Sequence, residues 1–181
     1  NGREPLERLE LYQVHRDKSR DEELTTLERM GDCNMKKMDI YMMTDIRAVT
    51  PVSGYGVYCI EWISPRGKAT LTDMVELTEC NARSATLATA IKALERITEP
   101  CELTMHVSET YIATAISKNY VGDWMKNDWK TKKGRDVVSK DLWQQLMYLL
   151  STHQCTVVYD ISHEYSRWMA DELTRKEKKK K

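Results

Sequence analysis

The run Tyr120-Val121-Gly122-Asp123-Trp124-Met125-Lys126-Asn127-Asp128-Trp129-Lys130-Thr131 leads through Lys132-Lys133-Gly134-Arg135-Asp136 into Lys140-Asp141-Leu142-Trp143. Two tryptophans with four residues between them lie in a helix-like aromatic segment, predicted over 121–129. A basic loop follows over 130–136. From 140 to 153 the apolar residues Leu142, Leu146, Leu149 and Leu150 recur at helical spacing, which predicts a strongly amphipathic helix. Between 126 and 140 stand six basic side chains (Lys126, Lys130, Lys132, Lys133, Arg135, Lys140) against two acidic ones (Asp128, Asp136). Such a cationic, aromatic-backed patch is suited to neutralising phosphate, although a lysine cluster also serves as a plain solvated face.

The pattern on either side places this segment late in a mixed α/β domain. Residues 39–45, 55–63 and 68–77 read as strands, the second rich in aromatic and β-branched residues. Ser64-Pro65-Arg66-Gly67 supplies the turn between the second and third. Leu87, Ile91 and Leu94 define a helix over 83–97, closed by Pro100. Residues 102–108 read as a fourth strand and 109–117 as a short helix, with Ser108 as its N-cap. Residues 155–161 read as a fifth strand and 165–175 as the last helix. Three strands in series followed by alternating helices and strands predict a five-stranded mixed sheet flanked by helices.

Composition agrees with a globular domain. The chain has 181 residues, 41% of them apolar and 31% charged. No stretch approaches the roughly 18 apolar residues of a membrane span, so no membrane partner is expected. Residues 1–38 differ from the rest: 17 are charged and no strand pattern appears. They read as an extension, part helical and part mobile, and as a possible arm for a protein partner. The domain proper is expected over 39–175, and the lysine-rich 176–181 as a disordered basic tail. Asn1-Gly2-Arg3-Glu4 shows no secretory pattern. The five cysteines (Cys33, Cys59, Cys80, Cys101, Cys155) contain no C-x-x-C pair, as expected of reduced thiols in a cytoplasmic protein. Formal charge is zero, 28 basic residues against 28 acidic. That balance is a cancellation between a basic loop and tail and an acidic remainder, so it does not exclude a nucleic-acid partner.

The element order, the W-x4-W-K-T run, the lysine-rich loop and the D-L-W that follows resemble type 1 ribonuclease H, where this region forms a substrate-binding handle. Thr44-Asp45, Tyr55-Gly56, Ala93-Leu94-Glu95 and Asp171-Glu172-Leu173 resemble further family signatures. The resemblance covers about 39–175. It implies the ribonuclease H-like fold, and cleavage of the RNA strand of an RNA/DNA hybrid by two divalent ions about 3.5–4 Å apart. Mg²⁺ or Mn²⁺ would be held by carboxylates, phosphate and water. Asp45 falls on the family's first acidic position and Asp171 on its fourth. The second and third positions carry Thr86 and Ser108. Asp45 and Asp171 are thus the expected metal ligands, a weak pair without the bridging charge of a two-ion site. Glu109 and Glu79 are the nearby acids available to substitute. His163 resembles the family's mobile-loop histidine, in a shorter loop without glycine, and His106 is in phase with Ser108 on the fourth strand. The family's glycine-rich loop after the first aspartate is here Ile46-Arg47-Ala48-Val49. The resemblance marks Trp124, Lys126, Trp129, Lys130, Thr131, Lys132, Lys133 and Arg135 as nucleic-acid-binding residues. Three functions stay open on these residues: a binder of hybrid or duplex with weak or no hydrolysis, an active metal-dependent ribonuclease H with a remodelled site, and a noncatalytic protein-interaction module.

Overall fold

The computed structural model describes residues 35–179; the extension expected over residues 1–38 lies almost entirely outside them. Five strands form one sheet: β1 (Lys36–Thr44), β2 (Val52–Ser64), β3 (Gly67–Cys80), β4 (Cys101–Val107) and β5 (Gln154–Tyr159). Their order across the sheet is β3-β2-β1-β4-β5. β1, β2 and β3 form an antiparallel meander, while β4 runs parallel to β1 and β5 parallel to β4. The helices are α1 (Ala82–Leu94), α2 (Thr110–Ser117), α3 (Tyr120–Lys126), α4 (Lys140–Leu150) and α5 (Ser166–Lys179). This is the predicted five-stranded mixed sheet flanked by helices.

Alternation along the strands divides the core between two faces. Met38, Ile40 and Met42 of β1, Tyr58 and Ile60 of β2, and Cys101, Leu103, Met105 and Val107 of β4 lie on one face, against Leu87, Ile91 and Leu94 of α1 and Trp143, Leu146 and Leu150 of α4. Tyr41, Val57 and Cys59 lie on the opposite face, against Met169 and Leu173 of α5. Helix α1 approaches β2 closely because position 56 is glycine. A Cβ there would collide with the side chain of Thr89, which is fully buried. The Thr89 hydroxyl is satisfied inside its own helix, donating to Ala85 O at 2.8 Å. Among the described residues no helix is long and apolar enough to cross a membrane.

Two boundaries moved for identifiable reasons. β1 starts at Lys36, before the apolar run, because Lys36 and Lys37 pair with Cys101 and Glu102 of β4 while their side chains stay exposed. α3 stops at Lys126, short of the predicted 129. Asp128 and Trp129 both take left-handed backbone (φ 49° and 59°), which no α-helix accommodates.

Candidate nucleic-acid interface and acidic site

The basic loop is a short closed hairpin. Lys130 and Asp136 form an antiparallel bridge. Thr131 N donates to Arg135 O at 2.8 Å, and Gly134 N donates to Thr131 O at 2.8 Å. Gly134 closes the turn with φ 73°, a conformation open to glycine at little cost. The Thr131 hydroxyl accepts from Arg135 N at 3.3 Å. Thr131 therefore holds the turn, while Lys132, Lys133 and Arg135 are exposed on it.

Trp129 anchors this hairpin to the domain. It is 3% exposed, its N–H donates to Trp124 O, and its carbonyl accepts from Val137 N at 3.0 Å. Trp129 is a core residue beneath the loop. Trp124 is half-buried, edge-on to the buried Trp143 at 5.6 Å and stacked near Tyr111 at 6.3 Å. Its remaining surface faces a cavity of about 610 Å³, lined by Tyr120, Asp123, Trp124, Lys126, Asn127, Lys130 and Lys132. Trp124, Lys126, Lys130 and Lys132 thus meet around one opening. Thr131, Lys133 and Arg135 belong to the hairpin beside it. Tyr120 opens the run quoted from the sequence but is not among the expected binding residues; it lies one helical turn before Trp124 and lines the same opening.

The acidic positions are arranged differently. Asp45 follows β1 and extends the β1–β2 ladder. Its N–H donates to Tyr55 O at 3.1 Å, and its carboxylate Oδ1 accepts from Tyr55 N at 2.8 Å. Gly54 makes room for this, since a Cβ there would fall on that carboxylate and on Ile46. Thr86 is 3% exposed on the inner face of α1, and its hydroxyl donates to Ala82 O at 3.0 Å. Ser108 is half-buried just past β4, and Asp171 is exposed on α5. Glu109 is engaged with Arg83, Oε2 to Nε 3.8 Å, and that guanidinium lies 4.2 Å from the ring centre of Tyr111. Glu79 lies in β3 and is exposed, with left-handed backbone at φ 52°. Among the described residues, no three His, Cys, Asp or Glu side chains converge to hold a metal ion. With two neutral hydroxyls in the set and one carboxylate oxygen committed to a backbone N–H, the donors present do not fit a divalent-ion pair.

The histidines meet in a network on the α5 face of the sheet. His106 Nε2 lies 3.2 Å from Asp39 Oδ1 and Nδ1 lies 3.1 Å from Asp160 Oδ2. The imidazole thus bridges two carboxylates, one from β1 and one just past β5. Tyr41 stacks on this ring at 4.3 Å and 17°, and lies 4.7 Å from the ring of His163. His163 is half-buried, and its Nδ1 accepts from Tyr165 N at 3.3 Å. Burial pushes its pKa below the usual histidine value. Burial, followed by Asp39 and Glu61, raises the Tyr41 phenol to about 12. Tyr165 donates its hydroxyl to Glu61, whose carboxylate also meets Lys68 at 3.0 Å, and Lys68 reaches Glu164 at 2.9 Å. Burial pushes the Glu61 carboxyl up, but Tyr165 and Lys68 together hold it below the ordinary glutamate value. Sequence reasoning found both histidines and missed Asp39, Asp160, Glu61 and Lys68. The one available signal was phase: Asp39 alternates with Tyr41 on the face of β1 that also carries Met43.

A family model described as RNase H matches residues 38–179. The chain belongs to the RNase H family. It is 34% identical over 143 residues to a ribonuclease H of Caldicellulosiruptor saccharolyticus, covering 78% of this chain and 95% of that protein. A ribonuclease H of Chlorobium phaeobacteroides is 37% identical over 70 residues, covering 39% of this chain and 48% of the relative. Among solved structures, a type 1 RNase H with the type 2 active-site motif superimposes with a TM-score of 0.64 at 15% identity, covering 80% of this chain and 74% of that one. The foamy viral protease-reverse transcriptase in complex with an RNA/DNA hybrid gives 0.56 at 14% identity, covering 78% of this chain and 20% of that one. At these identities the structural matches establish the RNase H fold. This RNase H-family chain carries a closed, lysine-bearing hairpin over 130–136 and neutral hydroxyls at Thr86 and Ser108.

Proposed function

We propose that the protein binds an RNA/DNA hybrid or a duplex and hydrolyses its phosphodiester bonds weakly or not at all. One observation carries this reading: the handle hairpin is fully built around Trp129, while Thr86 and Ser108 stand where the resemblance asks for carboxylates. Handle lysines neutralise phosphates, position the duplex and release counterions, a contribution that is independent of metal chemistry. RNase H enzymes use divalent ions, and a two-ion site stabilises both attacking and leaving oxygens. Asp45 and Asp171 alone give at most a weak hold on Mg²⁺ or Mn²⁺.

The test is binding of labelled hybrid, duplex and single strand at two salt concentrations, beside a hybrid-cleavage assay with Mg²⁺ and Mn²⁺. Hybrid or duplex should bind, and Lys132→Ala/Lys133→Ala should weaken binding and reduce the salt slope by about 2. Cleavage should be at background. Absence of binding, or binding indifferent to the double substitution, refutes the handle reading. Robust cleavage abolished by Asp45→Asn refutes the weak-hydrolysis reading in favour of a remodelled enzyme.

A further inference from the structure

The two neutral acidic positions have a cationic neighbour. Arg83 lies one turn before Thr86 on α1, and Glu109 directly follows Ser108. The Arg83–Glu109 contact therefore spans the gap between α1 and the end of β4 beside which a shared metal would bridge carboxylates. A guanidinium stands close to where the resemblance places divalent cations. Its plane is held by Tyr111, 4.2 Å from the ring centre, and its side chain remains 58% exposed. The 3.8 Å contact to Glu109 uses Nε, and a guanidinium carries five N–H donors in a fork that matches phosphate oxygens.

The same tyrosine connects this arginine to the handle. Tyr111 lies 6.3 Å from Trp124 with the rings 26° apart, and Trp124 lines the cavity that Lys130 and Lys132 also line. Arg83, Tyr111, Trp124 and the handle lysines thus form one continuous cationic and aromatic track, from the basic hairpin to the position of the lost carboxylates.

We infer that Arg83, held on Tyr111, is a phosphodiester contact that replaces divalent cations at this end of the track, so that nucleic-acid binding here needs no metal. The inference rests on the nucleic-acid reading above and adds to it a phosphate contact outside the handle, at the far end of the track. Glu109 acts as the restraint on this cation: it orients the guanidinium but also partly neutralises it.

The test is fluorescence anisotropy with a labelled RNA/DNA hybrid, comparing Arg83→Ala, Glu109→Gln and Lys132→Ala/Lys133→Ala with the unaltered chain, each in EDTA and in Mg²⁺. The unaltered chain should bind equally, within about twofold, under both conditions. Arg83→Ala should weaken binding about three- to tenfold and reduce the salt slope by about 1. Glu109→Gln should tighten binding, because it removes a competing negative charge and leaves the stacked guanidinium in place. The opposite signs separate phosphate contact from a merely structural ion pair, since breaking a structural pair from either side acts in the same direction. Equal affinity for Arg83→Ala and the unaltered chain, while the lysine variant is weakened, overturns the inference and leaves the handle reading standing. Loss of affinity in EDTA overturns it as well. No binding by the unaltered chain removes both.

Discussion

Replacing His106 by phenylalanine isolates the network on the α5 face. An aromatic ring is kept at the position, while both ring nitrogens are lost. Asp39 and Asp160, bridged by the imidazole at 3.2 and 3.1 Å, are then left without it. A hydrogen bond to a charged group contributes about 1.5–3 kcal/mol. That range applies to Asp160, whose side chain is 27% exposed; Asp39 is 39% exposed and its contact is worth about 0–1 kcal/mol. Together they give a loss of about 1.5–4 kcal/mol at neutral pH. In a chain of this size that corresponds to roughly 5–12 °C in Tm.

The pH dependence follows from Asp160. The backbone N–H of Ser162 first, and His106 second, hold its carboxyl below the ordinary aspartate value. A carboxyl depressed in the folded state contributes stability that is present above its unfolded value, about 3.9, and is lost as pH falls through the folded value. The part of the gap that comes from Asp160 should therefore be present at pH 7 and shrink below about pH 4. Urea unfolding followed by tryptophan fluorescence from pH 7 to pH 3 measures it. A difference under about 0.5 kcal/mol at pH 7, or an undiminished gap at pH 3, refutes the bridge as a source of stability.

Two further substitutions test other parts of the structure. Gly56→Ala should cost about 1–3 kcal/mol by forcing α1 away from β2, and Thr89→Ala in the same chain should recover part of that loss; a neutral Gly56→Ala in denaturant unfolding contradicts the close approach. Thr86→Glu with Ser108→Asp places carboxylates at two enclosed positions, so the variant should be less stable in EDTA and regain Tm on adding Mn²⁺, by mass action on the folded state, whereas the unaltered chain should not shift; equal responses of the two proteins contradict the account of the acidic positions.

The sheet and its helices were legible because their signals are local. The aromatic and β-branched run of 55–63 and the Leu87, Ile91, Leu94 spacing each report a buried element without reference to the rest of the chain. The handle was legible for the same reason, being one uninterrupted segment. What escaped was conformational or non-local. Nothing about Asp128 and Trp129 announces left-handed backbone, since neither is glycine. The commitment of the Asp45 carboxylate to Tyr55 N depends on a glycine nine positions away. The contacts of His106 are 67 residues distant to Asp39 and 54 to Asp160. Tyr165 meets Glu61 across 104 residues. Charged residues were readable as exposed or buried only in proportion to how near their partners lie in the chain.

The left-handed pair at Asp128 and Trp129 bears on how fast a ligand is captured. Because the reversal is fixed by a buried tryptophan and the turn by its own backbone, Lys132 and Lys133 stand in place before any encounter. The backbone of the segment is set when the domain folds, so only the lysine side chains are left to order at the moment of contact. Capture by the handle is then governed by long-range attraction and diffusion. Changes in salt should accordingly act on the association rate as well as on the residence time.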